Sequence, residues 1–291
     1  MANILIVCVK YPVCSGRYVT DAFRRLGHTV YVLGPETQDR IWGIRVNPKY
    51  AWHEDFIPPG WKPDLCITCD TNYNPILNYD CPHVIYTVDS HVRDVTNPEG
   101  YPHYDKLFLA HHDGPARPVC EDCGHVWLPC AFDDIAFTPS PIPMAERKYD
   151  VAIVGMPYER RARIVSLMQD AGLSVYAGLG PLYDEYRDIY HNAKISLCVS
   201  IAGDVGQRVF ETAAMGCMIL TDPCADLARL DFPFMNSAIY YSDNEAVEIA
   251  QQMTRFYPVL KDASALAFSV WAKPHTWIAR AQTILDTMGV K

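Results

Sequence analysis

Residues 204–222 read DVGQRVFETAAMGCMILTD, from Asp204 to Asp222. The pattern is that of a loop, a short helix and a buried strand. Gly206 and Gln207 open the helix, and Val209, Phe210, Ala213 and Ala214 give it apolar spacing suited to packing on a sheet. Gly216 ends it, as a helix C-terminal glycine does. Cys217 to Leu220 is a continuous apolar run of strand length, the mark of a strand covered on both faces. Two charged residues, Arg208 and Glu211, interrupt the apolar pattern at i and i+3. A helix opening beside a strand end offers free N–H groups and a positive dipole, which suit a phosphate. Arginine forks onto phosphate oxygens, and a carboxylate one turn in accepts hydrogen bonds from a sugar diol. The same two residues also fit an internal i,i+3 ion pair. The local pattern supports both readings.

With 291 residues, the chain has room for two domains of ordinary size, each with its own core. A hydrophobic content of 49% with 20% charged residues is that of a soluble globular protein rather than a disordered one. The net charge of −9 gives no global attraction to nucleic acid or to an anionic membrane, while leaving room for a local basic groove. No window approaches the ~20 consecutive apolar residues of a membrane span. Met1-Ala2-Asn3 runs straight into an apolar strand, without the basic segment or cleavage site of a signal peptide. Eleven cysteines, an odd number with several inside apolar runs, read as reduced core residues. The expected location is cytoplasmic.

Along the chain, Asn3 to Val9 is a strand candidate, followed by the loop KYPVCSGR, a helix from about Tyr18 to Leu26 stopped by Gly27, and a strand from His28 to Leu33. This strand, helix, strand order opens a Rossmann-type unit. Gly16 lies in the first loop, where a tight turn is one use for it, but no G-x-G-x-x-G is present to support a dinucleotide site. Further strands, Asp64–Cys69, His83–Val88 and Lys106–Ala110, run out into Asp70, Asp89 and His91, and His111, His112 and Asp113. Ligands gather at the carboxyl ends of such strands, so these acids and imidazoles are favourably placed. Cys66, Cys69, Cys120 and Cys123 form two C-x-x-C pairs. Their separation is too long for a zinc ribbon, and i and i+3 on a strand face opposite ways, so they read as packing.

After the strand His125–Ala131, a proline-rich run from Asp133 to Arg147 is the linker candidate. Tyr149 to Val154, closed by Gly155, starts a second Rossmann-like series. The next helix, Glu159 to Ala171, opens with Arg160, Arg161 and Arg163, basic residues set against the helix dipole. Either a bound anion compensates them or solvent does. Strands at Leu173–Ala177 and Lys194–Val199 follow, with Gly178 in the loop between them and Tyr183 and Tyr186 as residues for base stacking or for packing. Beyond Asp222 come a strand, Ser237–Tyr241, and helices at about Asn244–Phe256 and His275–Met288.

The stretch RVFETAAMGCMILTD resembles the nucleotide-sugar site of two-domain GT-B glycosyltransferases, in particular the CgeB-like branch with its pattern R-x-F-E-x-x-A-x-G. Glu211 matches the second Glu of that family's Glu-x7-Glu motif, which holds the ribose. The first Glu has no match, since position 203 is Gly and Asp204 is one residue closer. NILIVCV with SGRYVTDAFRRLGHTVYVLG, HVWLPCAFD with KYDVAIVG, and the terminal KPHTWIARAQTIL also resemble this family.

The resemblance implies an α/β fold of two Rossmann-like domains facing across a cleft, the GT-B architecture. Residues 1–132 would form the acceptor-side domain, 133–147 the linker and 148–272 the nucleotide-sugar-binding domain, with 273–291 a helix packing back toward the first. It implies a metal-independent glycosyltransferase with no cofactor beyond its nucleotide-diphosphate sugar, a UDP-sugar above all. Gly16, Arg161, Gly178, Gly206, Gln207, Arg208 and Glu211 would bind the donor. Asp89 and His91 would face the anomeric carbon, either one deprotonating an acceptor hydroxyl in an inverting reaction, or His91 positioning the sugar in a retaining one. No Asp-x-Asp metal motif is present. The acceptor is a hydroxyl on a glycan, a small molecule, a protein or a base in phage DNA, which is the one role left for nucleic acid. Two alternatives share the fold: a nucleotide-sugar epimerase, which needs no acceptor, and a non-catalytic binding or coat protein.

Overall fold

The computed structural model describes residues 1–36, 40–41, 44–45, 47–52, 56–69, 75, 77–88, 104–112, 125–201, 203–234, 239–255 and 258–291. The chain divides into two compact units, Met1–Cys130 with Trp277–Lys291, and Ala131–Thr276. In the first, β1 (Asn3–Val7), α1 (Ser15–Arg25) and β2 (Thr29–Leu33) precede a short antiparallel pair, β3 (Arg40–Ile41) and β4 (Ile44–Arg45). Then come β5 (Leu65–Cys69), β6 (His83–Thr87), β7 (Lys106–Leu109) and β8 (His125–Trp127). The sheet runs β2-β1-β5-β6-β7-β8 with every neighbouring pair parallel. Its central strands β1 and β5 are mostly apolar and buried along nearly their whole length, as strands covered on both faces are.

Helix α1 starts three residues before the apolar period does, at Ser15 rather than Tyr18. Gly27 stops it in the left-handed region, at φ 87°. Gly16 therefore sits in the first turn of a helix and not in a tight turn. A Cβ there would lie 2.7 Å from Cys8 Sγ and 2.8 Å from Cys8 Cβ, so the glycine is required by close approach of α1 to β1.

The second unit alternates strand and helix: β9 (Tyr149–Val154), α2 (Glu159–Asp170), β10 (Val175–Gly178), α3 (Tyr183–His191), β11 (Ala193–Cys198), α4 (Gln207–Ala214) and β12 (Met218–Thr221). Helices α5 (Ala225–Arg229), α6 (Asp243–Arg255) and α7 (Pro258–Ala272) follow. The parallel order β10-β9-β11-β12 makes the gap between β9 and β11 the switch point, where chains leave toward opposite sides and open a crevice at the carboxyl ends.

Three helices escape the sequence pattern, the five-residue α5 among them. Apolar residues occur all round α7, so it shows no amphipathic period, and it opens on Pro258, at a position where the missing N–H costs nothing. It covers α4: Phe210 stacks on Trp271 with ring centroids 5.3 Å apart. Helix α3 hides in the aromatic run after Gly180. The strand expected at Ser237–Tyr241 is a single bridge, Ile239 beside Thr221, and positions 237 and 238 lie outside the described residues.

The proline-rich run 133–147 belongs to the second unit and is packed into it. The Asp133 carboxylate accepts from the N–H groups of Ile135 (2.8 Å) and Ala136 (3.0 Å). Phe137 meets Tyr186 edge-on at 5.6 Å, and Ser140 donates to the His191 carbonyl (2.9 Å). Arg147 is buried and donates to the carbonyls of Ile142, Ala193 and Gly216. Prolines bring no N–H donor, and the Ser140 and Arg147 side chains donate in this segment.

The last helix, α8 (Trp277–Met288), belongs to the first unit. Trp277 is buried, stacked on Tyr18 at 5.7 Å and edge-on to Tyr86 at 5.8 Å. Arg280 donates to the carbonyls of Pro129 (2.7 Å) and Cys130 (3.2 Å). No helix among the described residues is long and apolar enough to cross a membrane.

Gly16→Ala is expected to cost about 1–3 kcal/mol of unfolding free energy, the usual range for overpacking a filled site. Urea denaturation checks this; an unchanged midpoint would show that α1 shifts freely off β1.

Candidate functional site

The crevice at the β9/β11 switch point is built from four segments of the second unit. Gly155 follows β9, α2 starts beside it, the loop after β11 crosses it, and α4 begins at its edge. Two guanidinium groups converge on Gly155. A Cβ at that position (φ 140°) would lie 2.8 Å from Arg208 Nη2 and 3.7 Å from Arg161 Nη1, so only glycine fits under the pair. Arg208 Nη2 donates to the Val154 carbonyl. Arg161 donates to the carbonyls of Met156 (3.2 Å) and Val199 (3.0 Å), and its guanidinium lies 5.0 Å from the Tyr158 ring centroid.

Neither arginine is bonded directly to a carboxylate among the described residues. Among the described residues, the hydrogen bonds of Arg161 and Arg208 go to carbonyls and neither forms an ion pair. The Nε of each is buried without a hydrogen-bond partner. Burial, and then the charge of Arg208, pull the Arg161 pKa below its ordinary value. Burial also works against the Arg208 charge, but Tyr190, Tyr186, Cys198 and Glu211 outweigh it and hold that pKa high.

The other arginines of the α2 opening are satisfied internally. Arg160 bonds Asp222 (2.6 Å) and Asp243 (3.2 Å), and Arg163 Nε bonds Asp243 (2.8 Å). The two carboxylates supply the compensating charge that the sequence assigns to an anion or to solvent. Arg161, one position further on, turns inward.

Gly206 is the N-cap of α4 and carries no side-chain cap bond, so the first turn of this helix presents its N–H groups uncapped. One turn in, Glu211 is 6% exposed. Its Oε1 accepts from Gln207 Nε2 at 2.6 Å, so the contact is i,i+4 with Gln207 and not the i,i+3 ion pair with Arg208. The Tyr186 hydroxyl faces the same carboxyl without reaching hydrogen-bond geometry. Burial raises the Glu211 carboxyl above its ordinary range, against the pull of Gln207, Tyr186 and Arg208.

Gly178 closes β10 and, with Ile153, Gly155, Arg161, Val165 and Leu179, lines a mainly apolar cavity of about 400 Å³ between α2 and β10. Tyr186 is not a stacking platform: it is 9% exposed, between Phe137 (5.6 Å) and Tyr190 (4.6 Å). Asp204 is used locally, accepting from Ile201 N–H (3.0 Å) and Ser200 Oγ (2.7 Å) to close the loop after β11.

The second unit thus brings together Arg161, Gly178, Gly206, Gln207, Arg208 and Glu211. Gly16 lies in the first unit. Asp70, Asp89 and His91 lie outside the described residues. His111 is buried with Nε2 2.7 Å from the Val88 carbonyl, and His112 packs edge-on against Trp127 at 5.5 Å. Among the described residues no three His, Cys, Asp or Glu side chains cluster as metal ligands, and Cys120 and Cys123 lie outside them. Sequence reasoning misses Gly155 and Asp222 as parts of the site. Asp222 holds Arg160 and the Ser200 N–H (2.9 Å), and the signal for it is the one applied to Asp70 and Asp89, an acid directly after a buried strand.

A family model described as glycosyl transferase-like matches residues 141–286, which include every residue of this crevice. The chain belongs to the glycosyl transferase-like family. No curated protein sequence matches it at a significant level. Solved structures of similar fold include an alpha-glucosyltransferase in complex with UDP-glucose and DNA containing an abasic site, with a TM-score of 0.70 at 11% identity and 99% of each chain covered. Sucrose-phosphate synthase from Thermosynechococcus elongatus aligns with a TM-score of 0.63 at 12% identity, over 99% of this chain and 98% of its own. Anabaena HepE in complex with UDP gives 0.63 at 10% identity, over 100% of both. At these identities the likeness shows the fold, an α/β architecture of the GT-B type with one Rossmann-like sheet in each unit of this family member.

Because burial raises the Glu211 pKa, the folded chain holds that proton more tightly than the unfolded chain does. Ionisation of Glu211 therefore costs stability at neutral pH, and the cost fades as pH falls through the raised value toward the ordinary one. Glu211→Gln is expected to melt above wild type at pH 7, by about 2–4 °C for each kcal/mol relieved, with the gap closing in acid. A lower melting temperature at pH 7 would mean that the ionised carboxylate supports the fold.

Proposed function

We propose that this chain transfers a sugar from a nucleotide-diphosphate sugar, a UDP-sugar above all, to an acceptor hydroxyl, without a metal ion. The observation that carries this is the pair Arg161 and Arg208, two cationic groups converging on Gly155 with buried, unpartnered Nε atoms and, among the described residues, no carboxylate in direct ion-pair contact. Like charges are held together at a cost, and a diphosphate offsets it by accepting forked hydrogen bonds from both. The uncapped N–H groups at Gly206, Gln207 and Arg208 add to the same anion site.

The other contacts follow along the donor. Glu211, one turn into α4, accepts from the ribose hydroxyls, and Gln207 orients it. The apolar cavity beside Arg161 and Gly178 takes the base. In the transfer the anomeric carbon–oxygen bond to the diphosphate breaks, the acceptor oxygen bonds that carbon, and the acceptor proton goes to a base, for which Asp89 and His91 are the candidates. Negative charge growing on the diphosphate meets donors already in place, the work a cation does in other sites. Two of the similar structures are complexes with UDP-glucose or UDP, which supports a uridine donor. The R-x-F-E-x-x-A-x-G pattern around Glu211 supports the CgeB-like branch.

Titration calorimetry of UDP and UDP-glucose, in buffer containing EDTA, tests this reading. Wild type is expected to bind, while Arg161→Met and Arg208→Met each lose about 10- to 100-fold, as removing a charge-assisted contact of ~1.5–3 kcal/mol requires. Glu211→Ala is expected to weaken binding to a similar degree. Absence of binding to any nucleotide diphosphate would overturn the assignment, and binding restored only by manganese would overturn its metal independence.

A further inference from the structure

The first unit carries a sulfur contact that the transferase reading does not use. Cys66, the second residue of the buried strand β5, has its Sγ 3.6 Å from Sγ of Cys81, in the segment leading into β6. The backbone fixes this approach: Cys66 N–H donates to the Pro82 carbonyl (2.9 Å), and Cys66 registers with His83. Cys66 is buried with Leu5 and Val7, and Cys81 closes the outer side of that cluster beside Leu77 and Trp61. Cys81 is half-buried, so one sulfur of the pair is reachable from solvent while the other is not.

We propose that Cys66 and Cys81 are a redox modification site, an attacking and a resolving thiol that close into a disulfide on exposure to a low-molecular-weight disulfide such as oxidised glutathione. The Cys81 thiolate attacks one sulfur of the small disulfide, whose S–S bond breaks and whose other half leaves and takes up the proton from Cys81. Cys66 then attacks Cys81 Sγ, breaking the mixed disulfide. The second small thiol leaves with the proton from Cys66. Two protein thiols are oxidised to one disulfide, and one small disulfide is reduced to two thiols. Forming the bond closes the sulfurs from 3.6 Å to about 2.05 Å.

The setting also explains a thiol pair that stays reduced until challenged. Burial, and then the neighbouring Cys81, raise the Cys66 pKa; burial, with Asp64, Asp105 and Asp80 nearby, raises that of Cys81. Neutral thiols in contact are stable, and exchange waits for the rare thiolate. Once formed, the bridge encloses residues 67–80 and ties the approach to β6 onto β5.

The test uses the full chain, incubated folded with oxidised glutathione, then denatured, alkylated and mapped by mass spectrometry. Two of the eleven cysteines are expected to become resistant to alkylation, with a cross-linked peptide joining Cys66 to Cys81 and a raised melting temperature. In Cys66→Ser, glutathione is expected to remain on Cys81, because the resolving thiol is gone; in Cys81→Ser neither adduct nor cross-link forms at Cys66. Glutathione retained on wild-type Cys81, full alkylation of both thiols, or a cross-link mapping elsewhere, such as Cys8 to Cys14, would each overturn the proposal. The wild-type mapping decides alone if a variant does not fold.

Discussion

Two like charges held over one glycine organise the second unit. Like charges brought close in a partly buried site repel, because little water is there to screen them. Arg161 and Arg208 are kept in that arrangement by carbonyls of Val154, Met156 and Val199, at the ends of β9 and β11 and in the loop after β9. Carbonyls accept hydrogen bonds but bring no full charge. The pair is therefore solvated by the backbone, and the proposed diphosphate would supply the charge that carbonyls do not.

The rest of the unit reads as support for that arrangement. Arg160, Asp222 and Ser200 tie the start of α2 to the end of β12 and the loop after β11, so the segments around the pair cannot drift apart. At the opposite end of α4, Arg147 donates to the Gly216 carbonyl, placing a cation where the helix dipole is negative and leaving the N-terminus for an anion. Helix α7 covers the apolar face of α4 through Trp271 on Phe210, which fixes the helix carrying both Arg208 and Glu211.

Glu211 and the arginine pair share a logic. A buried carboxyl, stabilised by one amide from Gln207 and raised by burial, is poorly served in the free protein. So are two cations whose hydrogen bonds, among the described residues, go to carbonyls alone. Sites of this kind are maintained by the surrounding packing and are relieved on ligand binding, and here the surrounding packing is dense: Val209, Phe210, Ala213 and Met215 are buried around them. The fold by itself would not license this reading, since the same architecture hosts many functions. The proposal rests instead on the side chains at the switch point.

The amino-acid sequence by itself determined where buried strands and their helices run, because an apolar run of five residues or an apolar face at helical spacing is a local signal. β1, β5, β9, β12 and α4 are legible in that way, as is Gly27. The tertiary structure alone decided which charge meets which. Arg160 and Arg161 are adjacent and chemically identical, yet a helix turns about 100° per residue, which sends one to Asp222 and Asp243 and the other toward Gly155. Those partners stand 62 and 83 positions along the chain, beyond any periodic signal. Helix α7 was hidden for the complementary reason: a helix apolar on every side has no period to detect, and only the neighbours that bury it reveal it as a helix rather than a strand or a loop.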